Sequence, residues 1–187
     1  MRKLKLQVQI SIDGFIAGPT NEMDWMAFEW DDELKRFVSA LTEPVDCIVL
    51  GRNLAEGFIP YWASVAADRT NPEYEAGRKF TDTHKVVFTK TLGESAWPNT
   101  VLAKGDLVDE ITTLKKQAGQ DIIVYGGAQF VSSLIQNNLI DDLYLFVSPV
   151  ALGKGLAIFA DRTSLNLVEA NSFACGIVVQ HYQPAQG

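Results

Sequence analysis

The chain has 187 residues, 47% of them hydrophobic, and a formal net charge of −7, which suits one substantial core and leaves little length for two catalytic domains, so a single domain over residues 1–187 is expected. The acidic balance argues against nucleic-acid binding, because no basic stripe is present to neutralise a run of phosphates. Cys47 and Cys175 sit far apart without a C-x-x-C, and His84 and His181 lie on separate segments, which argues against disulfide or metal frameworks; with no run of membrane-span length and no apolar run after Met1-Arg2-Lys3, a cytoplasmic protein is expected.

Leu4, Leu6, Val8, Ile10 and Ile12 alternate with Lys5, Gln7, Gln9 and Ser11 up to an Asp13-Gly14 turn signal, the period of a strand with one polar face. Inside a sheet, Gln7, Gln9 and Ser11 need partners that a ligand cleft could supply; an edge strand with a wet face is the simpler reading of this segment alone. Residues 15–30 mix glycine, proline and aromatics without a period and read as a long ordered loop over the core. Asp31 or Asp32 then caps a helix through Leu34, Phe37, Val38 and Leu41 that Pro44 ends.

Residues 47–50 form an apolar strand, as expected where both faces are covered, and run into Gly51-Arg52-Asn53 and a helix. The stretch 60–82 carries scattered charges and Pro72, and reads as loop with some helix. A strand over 85–88 ends in Thr89-Lys90-Thr91-Leu92, and a short strand over 101–103 is followed by an Asp106-capped helix with Leu107, Ile111, Leu114 and Ala118 on one face, closed by Gly119.

The run 121–124 stops at Tyr125-Gly126-Gly127 and opens a helix with Ala128, Gln129, Phe130 and Val131, ending near Asn137-Asn138. Paired glycines between a buried strand and a helix leave N–H groups open to an anion, which suits a phosphate; helix–sheet packing needs glycine there equally well. Neither G-x-G-x-x-G nor G-x-x-x-x-G-K-[ST] is present. Leu143, Leu145 and Val147 alternate with Tyr144 and Phe146, whose face is either buried or a partner surface, and a Gly153-Lys154-Gly155 loop leads to an antiparallel pair over 165–170 and 174–182. The whole pattern predicts an α/β fold of three layers: a mainly parallel central sheet, helices on both faces and an antiparallel C-terminal edge. Ligands bind beyond the carboxyl ends of such strands, here the loops after residues 12, 50, 88 and 125.

In order, Ser11-Ile12-Asp13-Gly14-Phe15-Ile16-Ala17-Gly18, Val49-Leu50-Gly51-Arg52, Val87-Phe88-Thr89-Lys90-Thr91-Leu92 and Val124-Tyr125-Gly126-Gly127-Ala128 resemble the dihydrofolate reductase superfamily. Together with Leu139-Ile140-Asp141-Asp142-Leu143, Pro149 to Gly155 and Phe159, they are most similar to the reductase domain of riboflavin-biosynthesis proteins and its stand-alone relatives. The resemblance implies a dihydrofolate reductase-like fold, NADPH as cofactor and hydride transfer to a small planar heterocycle, pterin-like or pyrimidinone-like, including 5-amino-6-(5-phosphoribosylamino)uracil reductase-like activity. It implies that Tyr125, Gly126, Gly127, Ala128 and Gln129 receive the cofactor diphosphate, with Gly51, Arg52 and Asn53 as a second phosphate turn. Thr89, Lys90 and Thr91 would hold the 2′-phosphate, and Gln9, Ile16 and Ala17 would border the nicotinamide.

Asn21-Glu22-Met23-Asp24-Trp25 is similar to the family's mobile loop, with Asp24 in place of proline, so Met23, Trp25 and Trp30 are expected at the substrate pocket. The family's pterin-binding carboxylate falls on Trp30, which makes folate a poor substrate and leaves Asp31 and Asp32 as the catalytic candidates for orienting a proton donor. Leu54 stands where relatives carry a phosphate-binding threonine, and no deaminase zinc signature is present. The resemblance further implies a homodimer. The alternative is a nucleotide-binding or partner-binding protein of the same fold without turnover.

Overall fold

In a computed structural model that describes residues 1–26 and 29–185, the alternating segment becomes β1 (Leu4–Ser11), followed by β2 (Phe15–Ala17) and a single 3-10 turn at Asp24–Met26. Ala27 and Phe28, within the expected loop, lie outside the described residues. Then come α1 (Asp32–Thr42), β3 (Val45–Gly51), α2 (Arg52–Ala67), α3 (Tyr74–Asp82), β4 (His84–Phe88) and β5 (Thr100–Ala103). The chain continues through α4 (Leu107–Lys116), β6 (Asp121–Val124), α5 (Ala128–Gln136), β7 (Asp142–Ser148), β8 (Leu156–Ala157), β9 (Leu165–Ser172) and β10 (Val178–Pro184). No described helix is long and apolar enough to cross a membrane.

Eight strands form one sheet in the order β5-β4-β3-β6-β1-β7-β10-β9, and β2 pairs with β8 outside it. The six strands from β5 to β7 run parallel, while β10 lies antiparallel to both β7 and β9. This is the expected architecture, but β1 is no edge strand: it lies between β6 and β7. Its even-numbered residues explain why. Leu4, Leu6, Val8 and Ile10 are all buried in one cluster with Ile111 and Leu114 of α4 and Val131, Leu134 and Ile135 of α5. Burying four such side chains is worth on the order of 6–12 kcal/mol before entropic costs, far more than an exposed edge position would recover.

The other face carries two apolar clusters. Under α1, Leu34 and Leu41 pack with Phe146, Phe173, Ile177 and Val179, and Trp30 and Phe37 border them. Under α2 and α3, Ala55 and Ile59 pack with Ile48, Leu50, Val87 and Ile123, bordered by Phe58, Phe80 and Tyr125. Phe146 is fully buried and Tyr144 is half-buried with its ring stacked on His181, so most of their face lies against the rest of the fold.

The segment 60–82 differs from expectation. Pro60 sits inside α2, which continues to Ala67, and α3 follows after a turn. Proline removes one helix hydrogen bond, yet Ile59 and Val65 on either side are buried, and that packing overrides the local penalty. Gly119 does not close α4, which ends at Lys116. It has φ of +151°, and a Cβ there would come 2.7 Å from Asp46 Oδ2, so the glycine makes room for the Arg2–Asp46 ion pair.

Candidate active site

The carboxyl ends of β4, β3, β6 and β1 lie side by side, and their loops therefore share one edge of the sheet. Val49 is in register with Val124, so the turns two residues on, at Gly51 and Gly126, come level. Gly51 is the N-cap residue of α2 and Gly127 that of α5, and neither helix has a side-chain cap. Two helix N-termini thus present open N–H groups and positive dipole ends next to each other. A methyl on Gly51 would lie 3.1 Å from Phe130 Cβ, and Phe130 packs in turn on Phe88, with ring centroids 5.2 Å apart. Close approach of α5 to the β3 turn is what requires glycine there.

Gly126 and Gly127 have φ of +150° and +85°, a left-handed conformation open to few other residues. A Cβ on Gly126 would meet Leu54 Cδ2 at 3.8 Å. The leucine that departs from the family pattern therefore packs the first turn of α2 against the second glycine turn. Tyr125 stacks on Phe58 at 5.5 Å and meets Phe80 edge-on, and burial pushes its hydroxyl pKa up; its ring serves packing. Arg52 makes an exposed i,i+4 pair with Glu56 at 3.0 Å, a contact weak enough for the guanidinium to leave for a phosphate. Asn53, Ala128 and Gln129 occupy the opening turns of the two helices.

Beyond β4, Thr89 Oγ1 accepts from the N–H groups of Thr91 and Leu92, both at 3.1 Å, folding the loop tightly. Lys90 Nζ donates to the carbonyls of Lys104 and Gly105 at 2.8 and 2.6 Å. The ammonium is thereby fixed at the mouth of the turn with one donor remaining.

On the β1 side, Ile16 and Ala17 are buried in β2. The loop before β8 presses on this strand: a Cβ on Gly155 would run into the Ala17 carbonyl and come 2.9 Å from Phe15 Cβ. Asp13 accepts from Ser11 Oγ at 2.7 Å and from the N–H groups of Leu152 and Gly153 at 3.1 and 2.7 Å. These bonds, the one from Ser11 first, hold its carboxyl below the usual range. The Asp13-Gly14 and Leu152-Gly155 motifs, far apart in the chain, form one structural unit.

Met23 is half exposed, Trp25 is half-buried with its indole N–H unpartnered among the described residues, and Trp30 stacks on Phe146 at 5.9 Å. Asp31 Oδ1 accepts from Leu34 N–H at 2.8 Å and its Oδ2 from Cys175 N–H at 2.9 Å. These two backbone donors lower its pKa. Asp31 is therefore the N-cap of α1 and the clamp for the turn between β9 and β10, while Asp32 points its charge into solvent at the first turn.

Gln7 was legible in the sequence only as a residue that a ligand cleft could satisfy, and Ser148 was not singled out at all. Both carry buried oxygens without a hydrogen-bond partner among the described residues, as does Gln9. The signal was the glutamines' position in an otherwise buried strand. A cavity of about 390 Å³ lies elsewhere, between the end of α5 and the loop before β9. It is lined by Gln136, Asp161, Arg162 and Thr163 without glycine turns or orphaned polar groups, so it has the weaker claim as a reaction site.

The RibD C-terminal domain family model matches residues 2–179. The chain is 29% identical over 182 residues to the uncharacterized protein YyaP of Bacillus subtilis (strain 168), covering 95% of this chain and 92% of that one. A crystal structure from Shewanella sp. PV-4, named provisionally as a riboflavin biosynthesis protein, matches with a TM-score of 0.74 and 22% identity over 100% of both chains. A diaminohydroxyphosphoribosylaminopyrimidine deaminase/5-amino-6-(5-phosphoribosylamino)uracil reductase of Thermotoga maritima matches with a TM-score of 0.69 and 18% identity, over 98% of this chain and 57% of that one.

Proposed function

We propose, for a chain that belongs to the RibD C-terminal domain family, an NADPH-dependent reductase acting on a small planar heterocycle of pterin-like or pyrimidinone-like chemistry. The observation that carries this reading is the pair of adjacent, uncapped, glycine-led helix N-termini at the ends of β3 and β6. A diphosphate fits such a cradle, since it offers negative charge to both dipoles and needs no intervening side chain. NADPH, when bound, supplies the hydride for a C=N or C=O of the substrate.

The protein's part is to bind, orient and exclude water. Gly51, Arg52 and Asn53 on one side and Gly126, Gly127, Ala128 and Gln129 on the other would hold the diphosphate, with Lys90 and the Thr91 hydroxyl on the 2′-phosphate. Gln9, Ile16 and Ala17 would border the nicotinamide, under Met23, Trp25 and Trp30 of the covering loop. Asp31 acts as a positioning residue, because both its oxygens are occupied and its carboxyl is held ionised. Asp32 is the exposed carboxylate left to relay a proton from solvent. We place the working form in the cytoplasm as a homodimer.

Titration with NADPH and NADH, followed by tryptophan fluorescence, tests this reading. The parent should prefer NADPH, and Lys90→Ala should weaken NADPH by about tenfold, the value of a charge-assisted hydrogen bond, while leaving NADH nearly unchanged. Equal loss for both nucleotides would show that Lys90 only ties its loop to residues 104–105. The occupied state of Asp31 favours a second reading, nucleotide binding without turnover. Binding without oxidation of NADPH across pterins and pyrimidinones would select it.

A further inference from the structure

On the face of β1 opposite α4 and α5, the side chains in order are Lys5, Gln7, Gln9 and Ser11, and β7 sets Asp142, Tyr144, Phe146 and Ser148 beside them in register. Both ends of the β1 side of this polar strip are satisfied. At the amino end, Lys5 pairs with Asp121 at 2.8 Å, and Asp142 accepts from Lys3, His181 and Gln183. At the carboxyl end, Ser11 Oγ donates to Asp13 and accepts from Phe15 N–H at 2.9 Å. Among the described residues the middle is left open, with Gln7 Oε1 and Gln9 Oε1 buried without a donor, and the opening continues on β7 to the partnerless Ser148 hydroxyl, in register with Ser11.

A buried amide oxygen without a donor is a liability that native proteins rarely retain. Three such atoms on adjacent β1 and β7, between the aromatic cluster under α1 and the one under α2, mark a place built to be completed by a ligand. Its chemistry can be read from what surrounds it. The cationic group of the strip, Lys5, is already neutralised by Asp121, so the site offers hydrogen bonds and no charge. A glutamine amide presents one acceptor and two donors in a plane, and matches a ring lactam edge, N–H beside C=O, through two parallel bonds. The flanking aromatic clusters suit a flat ring.

We infer that Gln7 is a specificity-determining residue that reads the neutral lactam edge of the substrate heterocycle, with Gln9 beside it on the cofactor side. The inference rests on the reductase reading of the same cleft. Gln9 lies nearer the carboxyl end of β1, where the phosphate turns are, and Gln7 lies one pleat deeper. The deeper amide is left for the substrate.

The probe is lumazine, a flat ring dione with lactam N–H groups, compared with 1,3-dimethyllumazine, which lacks them. Binding is measured with NADPH present, by calorimetry and by the side-chain amide resonances of 15N-labelled protein. Lumazine should shift the Gln7 amide resonances and bind at least about tenfold more tightly than its dimethyl derivative. Gln7→Leu should abolish that preference, leave NADPH affinity unchanged, and raise the melting temperature because it removes an orphaned polar group. Gln7→Asn, too short to reach the same edge but still an amide, should lose the preference without the gain in stability. Equal binding of the two lumazines by the parent, an unshifted Gln7 resonance, or no lumazine binding at all would overturn the inference. Failure to bind NADPH in the parallel titration would instead remove the reductase reading on which it rests.

Discussion

Gly127→Ala is expected to raise the NADPH dissociation constant at least about tenfold while leaving the fold intact. Gly127 has φ of +85°, and a Cβ there would make only an ordinary 3.7 Å contact with Phe130. Space is available, so the penalty lies in the backbone, on the order of 1–3 kcal/mol for a side chain held in this region. Relieving it rotates the peptide plane and turns the N–H groups at the start of α5 away from the diphosphate. Gly57→Ala is the control. It lies within α2 with nothing within 4 Å of the added methyl, and should stabilise the protein by about 0.5–1 kcal/mol without changing affinity. Calorimetric titration and thermal unfolding of the two variants separate loss of binding from loss of fold. Unchanged NADPH affinity in Gly127→Ala would mean that the turn serves helix–sheet packing alone.

The second large effect lies at the opposite end of the sheet. Asp142 is 3% exposed and accepts hydrogen bonds from Lys3 at 3.0 Å and from His181 and Gln183 at 2.8 Å. Replacing it with alanine leaves the partly buried donors of His181 and Gln183 without their acceptor, so Asp142→Ala should cost about 2–4 kcal/mol in urea unfolding. Burial alone would raise the carboxyl pKa, but the donors of Gln183, His181 and Lys3 outweigh it, and the pKa falls below the ordinary 3.8. A group depressed on folding stabilises fully above its unfolded pKa and loses that contribution as pH falls through the folded value. The stability gap between parent and variant should therefore be constant at neutral pH and narrow below about pH 4. An unchanged gap down to pH 2 would contradict the assignment. NADPH affinity at neutral pH should be the same in both, since Asp142 begins β7, far from the glycine turns.

Much of this architecture is legible in the residues. The period of β1, the caps at Asp31 and Asp106, and the apolar runs of β3 and β6 each follow from local chemistry, and the parallel sheet follows from their alternation with helices. What stayed hidden depends on contacts distant in sequence. The polar face of β1 suggested an edge, because only the sheet order reveals that β6 and β7 flank it. Pro60 hid half of α2, since the burial of Ile59 and Val65 that stabilises the helix comes from tertiary packing.

The candidate site divides in the same way. The two glycine turns at the strand ends were legible because such backbone conformations need glycine, and glycine shows in a sequence. The double role of Asp31 was half legible: its cap to Leu34 is local, while its bond to Cys175 spans 144 residues. Likewise, nothing near Asp13 announces that it holds Leu152 and Gly153. The polar face of β1 hinted at Gln7, whereas Ser148 acquires meaning only from having no partner among the described residues once folded.

The most direct measurement is the set of backbone amide 1H–15N shifts on titration with NADPH. The amides of Gly51, Arg52, Gly127, Ala128 and Gln129 should move together and saturate at one concentration, while those of Asp142 and His181 stay fixed. Saturation by NADPH with those five amides unmoved, or with shifts centred on the cavity between α5 and β9, would contradict the proposed cofactor site.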